Sequence, residues 1–199
     1  MELHDAIQRR ASVRRFSDEP VPPAVIDALL AVAALAPSAH GRQPWQFIVI
    51  APGQSRQRLV DAMAVEWRQH LAGDGVDIAQ IVERHAASAA RILAAPALLL
   101  PCIDRSLLDV YPDAHRQQAE YTMAVQSIGC AIQNILLSAV ARGYDAGWMC
   151  APLFCGDAVR REFALPATLD PQALIPVGRK AVEPKRRPKR GADALRLDR

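Results

Sequence analysis

The chain has 199 residues, 51% of them apolar and 23% charged, with a net charge of +3, which fits one globular domain or one protomer of an obligate dimer. The positive charge is local: residues 180–199 carry eight Lys/Arg against three Asp/Glu (net +5), and the other 179 carry sixteen against eighteen (net −2), which argues against a generally basic nucleic-acid surface. No uninterrupted apolar run reaches the roughly 18 residues of a membrane span, and four cysteines without a CxxC pair or a secretory leader point to reduced thiols in the cytoplasm.

The chain opens with "ELHDAIQRR", where Leu3 and Ile7 stand four apart and predict a short amphipathic helix. It runs into "RRASVRRF". In an extended segment alternate side chains share a face. Arg10, Ser12 and Arg14 can therefore converge on one anion, with Ala11 and Val13 turned away. Forked guanidinium donors and a hydroxyl are the groups that hold a phosphate monoester. The alternative is a solvated basic cluster.

Pro22 and Pro23 open a helix, "PAVIDALLAVAALA", since proline suits a first helical turn. It is apolar nearly all round, which predicts burial. "APSAHGRQPWQF" follows. Its small residues let backbone approach a flat ligand, and Ser38 and Gln43 offer polar groups for ring heteroatoms; a plain helix-to-strand loop is the alternative. "WQFIVI" reads as a buried strand. Helices are predicted over 53–71, where Leu59, Met63 and Trp67 are four apart, and over 76–94. "ALLLPCI" reads as the next strand.

Residues 116–142 make the longest helix, with few charges and Gly129 at its centre. Such a helix needs burial on all sides, and a small central residue admits a second helix. A dimer core is the reading, with the central helix of a monomer as the alternative. "DAGWMCAPLF" predicts a strand entering a loop, "GDAVRREFAL" a short helix and "QALIPVG" the last strand. Cys150 and Cys155 match no metal or redox spacing and are read as structural. The tail "EPKRRPKR" holds two prolines that stiffen it. It is solvated, or it brings Arg187 and Lys189 to a phosphate. Walker loop, GxGxxG and hydrolase elbow are absent from the sequence, and the five histidines form no local metal motif.

Taken in order, "RRASVRRF", "LAPSAHGRQPWQFIVI", "AIQNILLSAVARGYDAGW" and "QALIPVGRKAVEPKRRPKR" resemble the nitroreductase family of flavin enzymes over almost the whole chain. The resemblance implies an α+β fold, a three-layer sandwich with a central, mainly antiparallel sheet flanked by helices. It implies one domain over 1–199 with a basic extension at 180–199, and an intertwined homodimer holding two FMN at its interface. FMN is then bound by Arg10, Ser12 and Arg14 at the phosphate and by Pro37, Ser38, Ala39 and Gln43 along the ring. Met149, Cys150 and Ala151 are placed near the reactive ring nitrogen from the opposite subunit, and Arg187 and Lys189 return to the phosphate.

His40 and Arg42 depart from the commonest loop pattern and are read as substrate-facing, favouring an anion. The implied activity is ping-pong hydride transfer from NAD(P)H to a nitroaromatic, quinone or enone-like acceptor. It needs no catalytic side chain and no metal, and its partners are small molecules rather than nucleic acid or membrane. "AGWMCAPLFCGDAVRREFALPATLDPQALIPVG" is more similar to the flavin-binding C-terminal domain of bifunctional deazaflavin-coenzyme biosynthesis proteins, whose ligase half has no counterpart in this sequence. An FMNH2-dependent reductase of deazaflavin coenzyme biosynthesis and a non-catalytic flavin-binding module are the alternatives.

Overall fold

The computed structural model describes residues 1–197; Asp198 and Arg199, the end of the basic extension expected at 180–199, lie outside the described residues. Six α-helices surround five strands: α1 (Leu3–Arg9), α2 (Pro23–Ala33), β1 (Trp45–Val49), α3 (Gln54–Gly73), α4 (Ile78–Leu93), β2 (Ala97–Asp104), α5 (Ala114–Ala141), β3 (Asp145–Ala146), α6 (Gly156–Glu162), β4 (Leu169–Pro171) and β5 (Ile175–Gly178). The sheet runs β1-β2-β5-β3, with β4 also paired to β2, and every ladder between these strands is antiparallel. This is the α+β sandwich expected from the sequence.

β2 explains the three layers. Alternate residues of a strand face opposite sides, and this strand is buried on both. Ala97, Leu99 and Ile103 pack with α2 and α5 through Leu29, Ile128 and Ile132. Leu98, Leu100 and Cys102 pack with α3, α4 and α6 through Leu59, Ile92 and Val159. Pro101 lacks an N–H and would break a continuous central ladder. It sits between the β5 pairing, which ends at Leu99, and the β4 pairing, which begins at Cys102. There its carbonyl accepts from the Gln172 N–H at 2.8 Å.

Asp77 caps α4 by accepting from the Ala79 N–H, and Asp113 caps α5 by accepting from the Arg116 N–H, each satisfying an orphan donor of the first turn.

The helices predicted as buried all round are not buried so within one chain. α2 buries Ile26, Leu29 and Ala33 but leaves Leu35, just past its end, 79% exposed. α5 buries a stripe from Ala124 to Val140, while Val125 and Cys130 on its other side are exposed. By length and composition α5 is apolar enough to cross a membrane. It holds no long uninterrupted apolar run, because Gln126, Gln133 and Asn134 interrupt it without removing its apolar character. Its packing on α2 and the sheet makes it the central helix of the fold.

Candidate flavin-type cleft

The arginine-rich segment after α1 is held on both flanks. Ser12 bridges Ala146 in parallel, and the Val13 N–H donates to the Ala146 carbonyl at 3.2 Å. Further on, the Ser17 N–H donates to Arg179 O at 2.8 Å and the Ala181 N–H to Arg15 O at 3.0 Å. Val13 is 2% exposed, so its neighbours Ser12 and Arg14 are turned outward by alternation, as an extended segment requires. The strand that follows α5 continues beside it. Met149 and Leu174 exchange two backbone hydrogen bonds, at 2.9 and 2.8 Å.

Two adjoining hollows open along this seam. The smaller, about 50 Å³, is lined by Ser12, Arg14, Arg91, Gly147, Trp148 and Met149, among others. The larger, about 470 Å³, shares Arg14, Arg91, Trp148 and Met149 and extends between α3 and α4 to Trp67, Arg84 and His85. Ala151, Phe154 and Cys155 also line it. Among the described residues no Asp or Glu lines either hollow. Arg58, Arg105, Arg160, Arg161 and Arg179 each hold a carboxylate. Arg14, Arg84 and Arg91 hold none among the described residues. Three guanidinium groups around a partly apolar cavity without a counter-charge make a site for an anionic, flat molecule. His85 adds a buried Nε2 with no hydrogen-bond partner; its ring stands 6.3 Å from that of Trp67.

The expected cofactor residues fall into three places. Ser12, Arg14, Met149 and Ala151 line the cleft, whereas Arg10 at the end of α1 and the exposed Cys150 do not. The bridges Ser12–Ala146 and Met149–Leu174 bring the segment after α5 beside the arginine-rich segment, so that Met149 and Ala151 share the larger hollow with Arg14 of the same chain.

Pro37, Ser38, Ala39 and Gln43 do not line either hollow. There the loop is tied to itself and to α5. Ser38 Oγ accepts from the Gln43 N–H at 3.0 Å, Gln43 Nε2 donates to Ala34 O at 3.2 Å, and the Ala39 N–H donates to Ser127 Oγ at 3.2 Å. His40, Gly41 and Gln43 all have positive φ, and for His40 and Gln43 that conformation is strained.

His40 and Arg42 lie apart from the cleft, in a cluster with Asp109 and Glu120. Arg42 is paired with Asp109. Glu120 is 2% exposed, accepts from the Asp109 N–H at 3.3 Å and has its Oε2 3.9 Å from His40 Nε2. His40, Asp109 and Glu120 bring ligand atoms within 4.8 Å of one another, but the Arg42 guanidinium already neutralises Asp109.

The basic tail does return to the N-terminal segment. It docks through Arg186, which donates to the carbonyls of Gln8 and Arg9 at 2.5 and 2.7 Å. Arg187 and Lys189 are exposed, with no hydrogen bond or ion pair among the described residues.

Sequence reading missed Arg84, His85 and Arg91. Their signal was present: Arg84, Ser88 and Arg91 are spaced four and three apart on a helix, which puts them on one face.

Residues 7–179 match the nitroreductase family. A relative from Methanothermobacter thermautotrophicus, named "Putative NADH dehydrogenase/NAD(P)H nitroreductase", is 30% identical over all of this chain and 87% of its own length. A Desulfovibrio desulfuricans nitroreductase candidate, solved in complex with FMN, superposes with a TM-score of 0.74 at 26% identity, covering 100% of this chain and 97% of that one. A BluB-like flavoprotein from Clostridium difficile shares the fold with a TM-score of 0.80 at 23% identity, covering 100% and 99%. With its sheet order, its arginine–serine segment and a family match across most of its length, the chain belongs to the nitroreductase family.

Proposed function

We propose that the protein is an FMN-dependent oxidoreductase that takes electrons from NAD(P)H and passes them to a small organic acceptor. One observation carries the reading: Ser12, Arg14 and Arg91 meet at a hollow with no carboxylate in its wall among the described residues, opening into a cavity large enough for a flat ligand. These groups fit the phosphate and ring of FMN. Ser12 and Arg14 would hold its charged end, with Arg10 and, through the tail that Arg186 ties to Gln8 and Arg9, Arg187 and Lys189 as further cations for the phosphate. The backbone of Met149, Cys150 and Ala151 lies along the ring. Bound there, FMN supplies the two-electron transfer between donor and acceptor.

The protein's own part is to bind and orient. Backbone N–H groups and nearby cations along the ring would stabilise the negative charge that reduction adds, an electrostatic role that needs no nucleophile or acid among the side chains. Trp148 and the walls of α3 and α4 keep water from the ring. The acceptor is a nitroaromatic, a quinone or an enone-like compound.

The loop from Pro37 to Gln43 lies outside the cavity of its own chain, and one side of α5 is uncovered. A homodimer accounts for both: α5 is covered, and the loop of each copy reaches the flavin of the other. His40 and Arg42 come to the rim by the same docking. All four cysteines are free thiols, which suits a cytoplasmic location.

The test is the visible spectrum of the purified protein, followed by FMN reconstitution and anaerobic stopped-flow mixing with NADPH and NADH. A yellow protein, one FMN per chain, bleached within seconds and recoloured by a quinone, is expected. A colourless protein that takes up no FMN overturns the reading. Flavin that binds but is not reduced leaves a binding module. Selective tight binding of a deazaflavin would move the assignment to that coenzyme's biosynthesis.

A further inference from the structure

We infer that the α3–α4 hairpin carries a second anion-recognition point, Arg84, which selects flat aromatic acceptors bearing a carboxylate or similar acidic group. This rests on the flavin reading above, because it divides one cavity between the cofactor and its partner.

The division follows from which residues line which hollow. Arg14 and Arg91 line both, beside Ser12, and are taken by the phosphate-bearing cofactor. Arg84 and His85 line only the larger hollow. Arg84 and Arg91 are seven residues apart on α4, two turns along one helical face, so Arg84 sits about 10 Å along the helix from the cofactor end.

Three features of that far end describe a ligand. Arg84 is exposed at the rim and holds no carboxylate among the described residues. Trp67 and Phe154 line the same cavity with apolar surface for a ring to lie against. Among the described residues no Asp or Glu lines the wall, which removes a reason to prefer a cation. The guanidinium fork matches a carboxylate in two parallel hydrogen bonds.

The experiment uses the full chain and two redox-inert probes of nearly equal shape, naphthalene-2-carboxylate and naphthalene-2-carboxamide. Affinities are measured by titration calorimetry. Flavin content and NADPH bleaching are recorded on the same samples. The carboxylate is expected to bind at least tenfold more tightly than the carboxamide. Arg84→Gln should abolish that preference while leaving carboxamide affinity and flavin content unchanged; Arg84→Glu should invert it.

Equal binding of the two probes to the unaltered protein overturns the proposal. So does a preference that survives in Arg84→Gln, which would assign it to Arg14 or Arg91. Failure of the flavin reading looks different: no FMN is taken up, whatever the calorimetry gives. The Arg84 comparison can still be made on that flavin-free chain.

Discussion

Gly147 lies directly under Val13: a Cβ at position 147 would stand 2.7 Å from the Val13 carbonyl oxygen and 3.2 Å from Pro176 Cγ. The arginine-rich segment therefore rests on the strand after α5 with no room for a side chain between them. Because Ser12 and Arg14 flank Val13, whatever moves Val13 moves both groups of the proposed phosphate site.

Gly147→Ala is expected to destabilise the fold by about 1–3 kcal/mol, the scale of overpacking, and to weaken FMN binding more than Gly191→Ala, where a Cβ meets nothing within 4 Å. Urea unfolding and a flavin titration on both variants check this. Equal behaviour of the two would mean the segment is not seated as described.

Arg14→Ala removes a charged donor from the cleft without touching the core, since Arg14 is exposed and makes no ion pair among the described residues. FMN affinity should fall by about 1.5–3 kcal/mol, roughly 10- to 150-fold, with little change in the unfolding midpoint. Quenching of flavin fluorescence on reconstitution measures it. Arg58→Ala, which loses only a surface pair with Glu162, is the control and should bind flavin normally. An Arg14→Ala protein with unaltered affinity would take this guanidinium out of the cofactor site.

The architecture was legible wherever a pattern repeated over many residues. The apolar spacing of Leu59 and Met63 gave α3, the apolar "ALLLPCI" gave a strand, and the uncharged stretch around Gly129 gave the longest helix. β4 escaped because three residues carry no period. The site was legible as segments but not as a shape. Ser12, Arg14 and Met149 share a cleft because two isolated bridges bring distant segments together, and nothing in local sequence fixes which residues pair across a sheet. α4 read only as a helix over 76–94. Its arginines fit a solvated face equally well until the cavity beneath them is known.

Arg56 was the least legible residue. An arginine in the first turn of α3 reads as surface, yet this one is 1% exposed. Its guanidinium donates to the carbonyls of Ile50, Ala95 and Pro96, so one side chain fastens the end of β1 and the start of β2 at the two ends of the α3–α4 hairpin. Burial pulls its pKa below the ordinary arginine value, because the charged form has lost its water. Arg56→Met keeps the length and removes every donor. The stranded carbonyls should cost about 2–4 kcal/mol, read as a lower urea midpoint. Arg68→Met on the exposed side of α3 should be neutral within about 0.5 kcal/mol. Equal midpoints for the two variants would show that Arg56 does not hold the hairpin.

Cys102 and Cys155 give the fold an alkaline limit. Burial pushes both thiols from 9.0 up to about 12, with Asp170 adding to the effect at Cys102 and Glu66 at Cys155. The folded chain keeps them protonated in a range where the unfolded chain has already released both protons. The unfolded state therefore binds fewer protons above pH 9, and stability falls as pH rises. Their contribution is whole below about pH 9 and is lost progressively towards about pH 12. Urea midpoints measured from pH 7 to pH 11 should drop along this course. The Cys102→Ala/Cys155→Ala protein starts lower, because two buried side chains are truncated, but should show a shallower alkaline slope. In the native protein at pH 8, a thiol reagent should reach Cys150, which is exposed, and leave Cys102 and Cys155 unmodified until urea is added. Parallel slopes in the two proteins, or fast labelling of the buried pair, would mean that these thiols are not held in the protonated, water-free setting on which the alkaline limit depends.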